Sequence, residues 1–236
     1  MSADFDIEND YKNLITIMTF AIPSTNWIPP LLFFYEKFDK KDLLKFIKKL
    51  EYKFVGDWIL SASPTTRITN MNQILKVIEN SENSNDVLMR KDIFSIDSED
   101  LNKELNGNIY GKRFTRFILL KREYLLADDM VHMSGHRFLS VEHILPQNPK
   151  SDSQWVKDFS EAERKQWKDK IGNLVLISKK KNSRLSNLDF AEKKIRYFRG
   201  RIDIFPSSKV FDRYDKWTKD ELKKRQSEIL DLLQKN

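Results

Sequence analysis

The chain has 236 residues and a mass of 28.1 kDa, with 40% hydrophobic and 33% charged residues, enough for one large or two small domains around an apolar core. It has no cysteine, which excludes disulfides, a thiol nucleophile and the four-cysteine zinc knuckle that staples many small nucleases. A net charge of +7 and a pI near 9.3 point to a polyanionic partner, while an acidic, polar start (MSADFDIEND) and no apolar run near ~20 residues make a cytoplasmic chain the expectation, without secretion or membrane insertion.

In chain order, DYKNLITIMTFAI places Leu14, Ile17, Met18 and Ala21 on one helical face, with Asp10 as the expected cap. WIPPLLFFYEKF follows, where Pro29 and Pro30 suit the first turn of a new helix, and DKKDLLKFIKKLEYKFV repeats the spacing with Leu43, Phe46, Ile47 and Leu50. SASPTTRITN and NSENSND read as turn-rich breaks around a short helix carrying Ile74, Leu75 and Val77. GKRFTRFILLKREYLLA predicts a helix with Phe114, Phe117, Ile118 and Leu125, ending near Asp128 and Asp129, with SGHR as a turn and a domain boundary there.

Beyond that boundary the texture becomes β-branched. A strand is expected from Phe138 to Ile144, ended by Pro146, and a second in GNLVLIS, with the short polar helix SEAERKQWKDK in the long connection between them. SNLDFAEKKIRYF then predicts a helix capped by Ser186 or Asn187, with Phe190, Ile195 and Phe198 facing inward. A last helix opens with the capping box TKDE, Thr218 to Glu221, and carries Leu222, Ile229, Leu230 and Leu233.

The positive charge is localised: Lys179 to Arg201 holds nine basic residues against two acidic ones, a surplus equal to that of the whole chain. Next to it lie residues suited to phosphodiester hydrolysis, which needs a base for water, a cation for the phosphate charge and a group that orients the base. His143 supplies a base that is neutral near pH 7 and Glu142 a carboxylate; Asn173 opens the second strand and Asn182 follows nine residues later. Carboxylate and amide oxygens suit a hard ion such as Mg²⁺. Within a strand Glu142 and His143 face opposite sides, so a site using both needs the strand to end or twist there, as Pro146 permits.

VEHILPQN, IGNLVLIS and KKKNSRLSNLDFAEKK, in this order, resemble the signature of His-Asn-His (HNH, ββα-metal) nucleases. The resemblance is greatest to the C-terminal nuclease domain of type IV, modification-dependent restriction endonucleases of the GmrSD kind; the order is also similar to the HNH domain of RNA-guided CRISPR nucleases. It is strong from Ser140 to Phe198, extends to YDKWTKDELKKRQ and is weaker over the helical first half. It implies an α+β, predominantly helical chain: a helical domain over 1–129, then over 130–236 a ββα-metal nuclease core with a C-terminal helix.

By position, the resemblance makes His143 the general base, Asn173 the asparagine that helps position it, and Asn182 a metal ligand. Glu142 stands where relatives often carry a metal-binding aspartate. The cofactor would be Mg²⁺, with Mn²⁺ as the other candidate. Arg184, Lys193 and Lys194 are expected to contact phosphate, giving sequence-tolerant, salt-sensitive binding. Gln147 is expected to help shape the site, Asn187 is read as a cap, His132 and His136 as turn residues, and Trp155 and Trp167 as core or lid residues.

The implied activity is cleavage of phage DNA, in such systems modified DNA, to 5′-phosphate and 3′-hydroxyl ends. The N-terminal nucleotide-hydrolysing sensor of GmrSD-like proteins has no counterpart here, since no Gly-rich phosphate loop occurs, so the chain is expected to be a C-terminal fragment or one subunit of a split system. The alternatives are a non-catalytic nucleic-acid-binding module with a decayed HNH core, and an RNase.

Overall fold

The computed structural model describes residues 2–127, 139–199 and 205–234, with side chains from residue 10 onward. Helices α1 (Ser2–Ala21), α2 (Ile28–Phe38), α3 (Leu43–Ile59) and α4 (Pro64–Asn80) lead into the shorter α5 (Ser84–Leu88), α6 (Lys91–Phe94) and α7 (Ser98–Leu105). Most of the apolar stripes read from the sequence are buried: Leu14, Ile17 and Met18 on α1 and Phe46, Ile47 and Leu50 on α3 are fully enclosed, while Leu43 and Leu75 are only partly buried. Phe34 stacks on Phe46 with ring centroids 3.9 Å apart. These elements make one of two compact units, Met1–Glu104, the other being Leu105–Asn236.

Two local expectations fail here. Asp10 is not a cap, because α1 has already begun at Ser2. SASPTTRITN is not a break but the start of α4: the Ser63 hydroxyl accepts the Thr66 N–H at 3.0 Å, and Pro64 sits in the first turn, where its missing N–H costs nothing.

The second unit holds α8 (Thr115–Leu126), β1 (Leu139–His143), α9 (Gln154–Asp158), α10 (Glu161–Trp167), a 3₁₀ turn (Ile171–Asn173), β2 (Leu174–Ser178), α11 (Lys179–Leu185), α12 (Phe190–Phe198), a second 3₁₀ turn (Pro206–Lys209), α13 (Val210–Arg213) and α14 (Lys219–Gln234). β1 and β2 pair antiparallel, Leu139 opposite Ser178 through His143 opposite Leu174. The protein is thus predominantly helical with one two-stranded sheet among the described residues. Trp155, Phe159, Val175, Ile177, Leu185, Phe190, Tyr197, Phe211 and Trp217 share one core, which places Trp155 and Trp167 inside.

The boundary expected at 129/130 and the turn residues His132 and His136 fall within 128–138, outside the described residues. Helix α8, assigned by that boundary to the helical domain, packs on β2 and α14 in the second unit. Between β2 and α12 the chain forms a further helix, α11, where direct passage from strand to helix was expected. The face of α12 also differs: Ile195 and Phe198 are 55% and 38% exposed, and the buried residues are Phe190, Lys193 and Tyr197. Asp189, not Ser186 or Asn187, occupies the cap position.

Candidate active site

Adjacent residues of a strand point to opposite faces, and at the end of β1 this separates the two expected site residues. The Glu142 carboxylate lies against α12, where Lys193 Nζ donates to its Oε1 at 2.5 Å and to the His143 carbonyl at 2.7 Å. The Lys193 side chain has no exposed surface and Glu142 only 5%. Burial pushes the Glu142 carboxyl above its ordinary range and the Lys193 ammonium below its own, and each charge opposes the other's shift. Lys193, expected among the phosphate contacts, is therefore an internal counter-ion: α12 faces the core through 190, 193 and 197, and the lysine stem brings the ammonium to the strand.

His143 turns the other way. Its Nε2 lies 3.1 Å from Asp169 Oδ1, an oxygen that also accepts from the Gln147 side-chain amide at 3.3 Å. The Tyr110 ring packs edge-on against the imidazole, centroids 4.3 Å apart, and only 9% of the histidine side chain remains exposed. Burial is the main force holding the imidazole below its usual pKa, so that it is neutral near pH 7; Asp169 opposes this, and Lys193 and Lys168 reinforce it. Gln147, expected to help shape the site, meets it only through this contact with Asp169.

Asn173 is completely buried. Its Oδ1 accepts the Leu145 N–H at 2.8 Å, and its Nδ2 donates to the carbonyls of Leu145 and Lys168, both at 2.8 Å. One amide thus ties the chain two residues after His143 to the residue preceding Asp169. The turn that carries Asn173 is gripped from behind: Gln226 Oε1 accepts the Gly172 N–H at 2.7 Å, Arg225 donates to the carbonyls of Gly172 and Leu174, and Arg122 donates to Leu174 at 2.8 Å. Gly172 has to be glycine for this approach, because a Cβ there would lie 2.9 Å from Gln226 Oε1 and 3.0 Å from the Leu222 carbonyl.

Asn182 lies on α11 and reaches back over β1, its Nδ2 donating to the Ser140 hydroxyl and, at 3.3 Å, to the Val141 carbonyl. A carbonyl can only accept, which fixes the amide nitrogen on the strand side and leaves Asn182 Oδ1 directed away from it. Among the described residues no three His, Asp or Glu side chains cluster as a metal cage. Beside β1 the Glu142 carboxylate is buried and already held by Lys193, which leaves Asn182 Oδ1 as the accessible oxygen donor for an ion such as Mg²⁺, which retains waters and shares substrate phosphate oxygens. Arg184 is exposed, and Lys194 donates to the Tyr214 carbonyl at 3.0 Å and to Asp215 at 2.9 Å.

The structure thus brings His143 and Asn173 together with Asp169 and Tyr110, which sequence reasoning missed. KDKIG carries no periodicity or motif that marks Asp169, and its role depends on a contact across 26 positions. The comparisons with known proteins follow this unit closely: residues 90–232 match the family described as GmrSD restriction endonucleases, C-terminal domain. No curated protein and no solved structure matches the chain.

Proposed function

The chain belongs to the GmrSD restriction endonuclease C-terminal domain family, and from this we propose that it is a metal-dependent DNA endonuclease domain of the HNH type. The environment of His143 is the observation that carries this reading: a neutral imidazole at the end of β1, pinned at Nε2 by Asp169 and braced through Asn173. That is what a general base requires. The order β1, β2, α11, with Asn182 over β1, supports a ββα-metal arrangement.

In this reading His143 takes a proton from water, the water oxygen bonds to phosphorus, and the P–O3′ bond breaks to leave a 5′-phosphate and, after protonation, a 3′-hydroxyl. Mg²⁺ or Mn²⁺, when bound, supplies charge stabilisation on the scissile phosphate and leaving oxygen. Asn182, through Oδ1, is the residue that would hold it; Glu142, on the face of β1 opposite His143, would first have to leave its pair with Lys193 to join it. Asn173 keeps the base in place. Arg184 and Lys194 would contact the backbone of DNA, the substrate class to which the family name points, without reading sequence. Selection of phage or modified DNA would then fall to a nucleotide-hydrolysing sensor domain or subunit, in a cytoplasmic setting; among the described residues no helix is long and apolar enough to cross a membrane.

The buried Lys193–Glu142 pair favours a second reading, a nucleic-acid-binding module without catalysis, because it already satisfies one expected metal-binding carboxylate. Plasmid cleavage decides between them. Supercoiled DNA with Mg²⁺ or Mn²⁺ should be nicked by the protein, and His143→Ala should lower the rate by about 10²-fold or more while salt-sensitive binding persists. Equal nicking by the variant would refute His143 as base, and DNA binding with no nicking under either metal would favour the binding module. Matched DNA and RNA duplexes separate a DNase from an RNase.

A further inference from the structure

We propose that Asp169 is the positioning residue that sets the tautomer of His143, keeping the proton on Nε2 and leaving Nδ1 as the nitrogen that accepts the proton of water. The proposal rests on the nuclease reading only for what Nδ1 does; the tautomer is a property of the folded protein. A carboxylate offers hydrogen-bond acceptors and no proton, so the 3.1 Å contact between Asp169 Oδ1 and His143 Nε2 requires the hydrogen on the imidazole nitrogen. The same oxygen takes a second donor, the Gln147 amide, as a carboxyl oxygen with more than one lone-pair site can. His143 Nδ1 makes no hydrogen bond among the described residues.

The placement of Asp169 is over-determined, as orienting a base demands. Its own carbonyl accepts the N–H groups of Ile109 and Tyr110, at 2.9 and 3.2 Å. Tyr110 then lays its ring against the imidazole, so one short segment fixes both the carboxylate and one side of the ring. From the other direction the Asn173 amide holds the Lys168 carbonyl. A neutral imidazole with its hydrogen on Nε2 has a lone pair on Nδ1. Water activated there would pass its proton to Nδ1 as its oxygen bonds to phosphorus and the P–O3′ bond breaks.

Long-range ¹H–¹⁵N correlation spectra of the uniformly labelled full chain, with His143 assigned by difference from His143→Ala, read the tautomer directly. The expected spectrum at neutral pH shows Nε2 protonated and Nδ1 unprotonated; a ring protonated at Nδ1, or at both nitrogens, would overturn the proposal. In Asp169→Asn the Nε2-protonated form should lose its dominance, kcat for plasmid nicking should fall by at least about tenfold with KM unchanged, and Asp169→Glu should restore part of both. An Asp169→Asn protein that still melts cooperatively and keeps the wild-type ring spectrum would also overturn it. A wild-type ring protonated at Nε2 in a protein that cleaves nothing supports the hold of Asp169 on the ring and refutes the nuclease reading instead.

Discussion

In the first unit Phe34 stacks on Phe46, and Leu14, Ile17, Ile47 and Leu50 are fully buried. The first unit also buries Glu51 and Asp57, with Asp57 paired to Lys53 one turn away on α3, whereas the second unit threads its apolar cluster with more charge: Arg122 beside Glu123, Lys193 on Glu142, and Arg225 on the Gly172 and Leu174 carbonyls, all buried. Apolar burial is non-directional and roughly proportional to area. Buried ions are satisfied in only a few geometries and are costly when left alone. The first kind of interior makes a scaffold; the second sets a strand end and a turn at a defined separation, which the His143–Asp169 pair needs.

Substitutions that break this contrast should differ in kind as well as in size. Removing one partner of the buried pair, in Lys193→Met or Glu142→Leu, should cost about 3–5 kcal/mol in urea denaturation, since an unpaired buried charge remains. The double variant should cost clearly less than the sum. Additive losses would show that the pair is not one electrostatic unit. Phe46→Ala should cost a similar amount, about 3–5 kcal/mol, but without any partner whose replacement relieves the loss.

A smaller and more local effect is expected of Gly172→Ala. The added methyl lands on Gln226 and on the Leu222 carbonyl, and overpacking of this kind costs about 1–3 kcal/mol. Because the turn carries Asn173, the variant should also lose nicking out of proportion to stability, measured at a temperature where it is fully folded. The smallest effect tests the face of α12: Ile195→Ser should change stability by less than about 0.5 kcal/mol, since Ile195 is exposed where the apolar pattern had placed it inside. A loss of several kcal/mol there would restore the face expected from sequence.

Helices were legible where periodicity is long, as in α3 and α8, and one start was legible from its capping box: Glu221 accepts the Thr218 N–H at 2.8 Å before α14. The reciprocal cap of α10 by Ser160 and Glu163 was not read from the sequence. The turn-like composition before α4 misled, because Ser and Pro serve a helix start as readily as a break. Asn173 was visible as the residue that opens the second strand, but what it holds, Leu145 and Lys168, was not.

By itself the sequence determined the predominance of helix, the two strand segments VEHIL and GNLVLIS and the concentration of positive charge after Lys179, and it singled out His143, Asn173 and Asn182 as candidates. Local propensity, periodicity and chemically distinctive side chains write these directly into neighbouring residues. Only the tertiary structure decided that Lys193 leaves the basic surface for Glu142 and that Asp169 is the partner of His143. Each of these depends on a contact between positions 26 or 51 residues apart. For Lys193 a compensated buried charge replaces a solvated one, and that balance exists only once strand and helix have met.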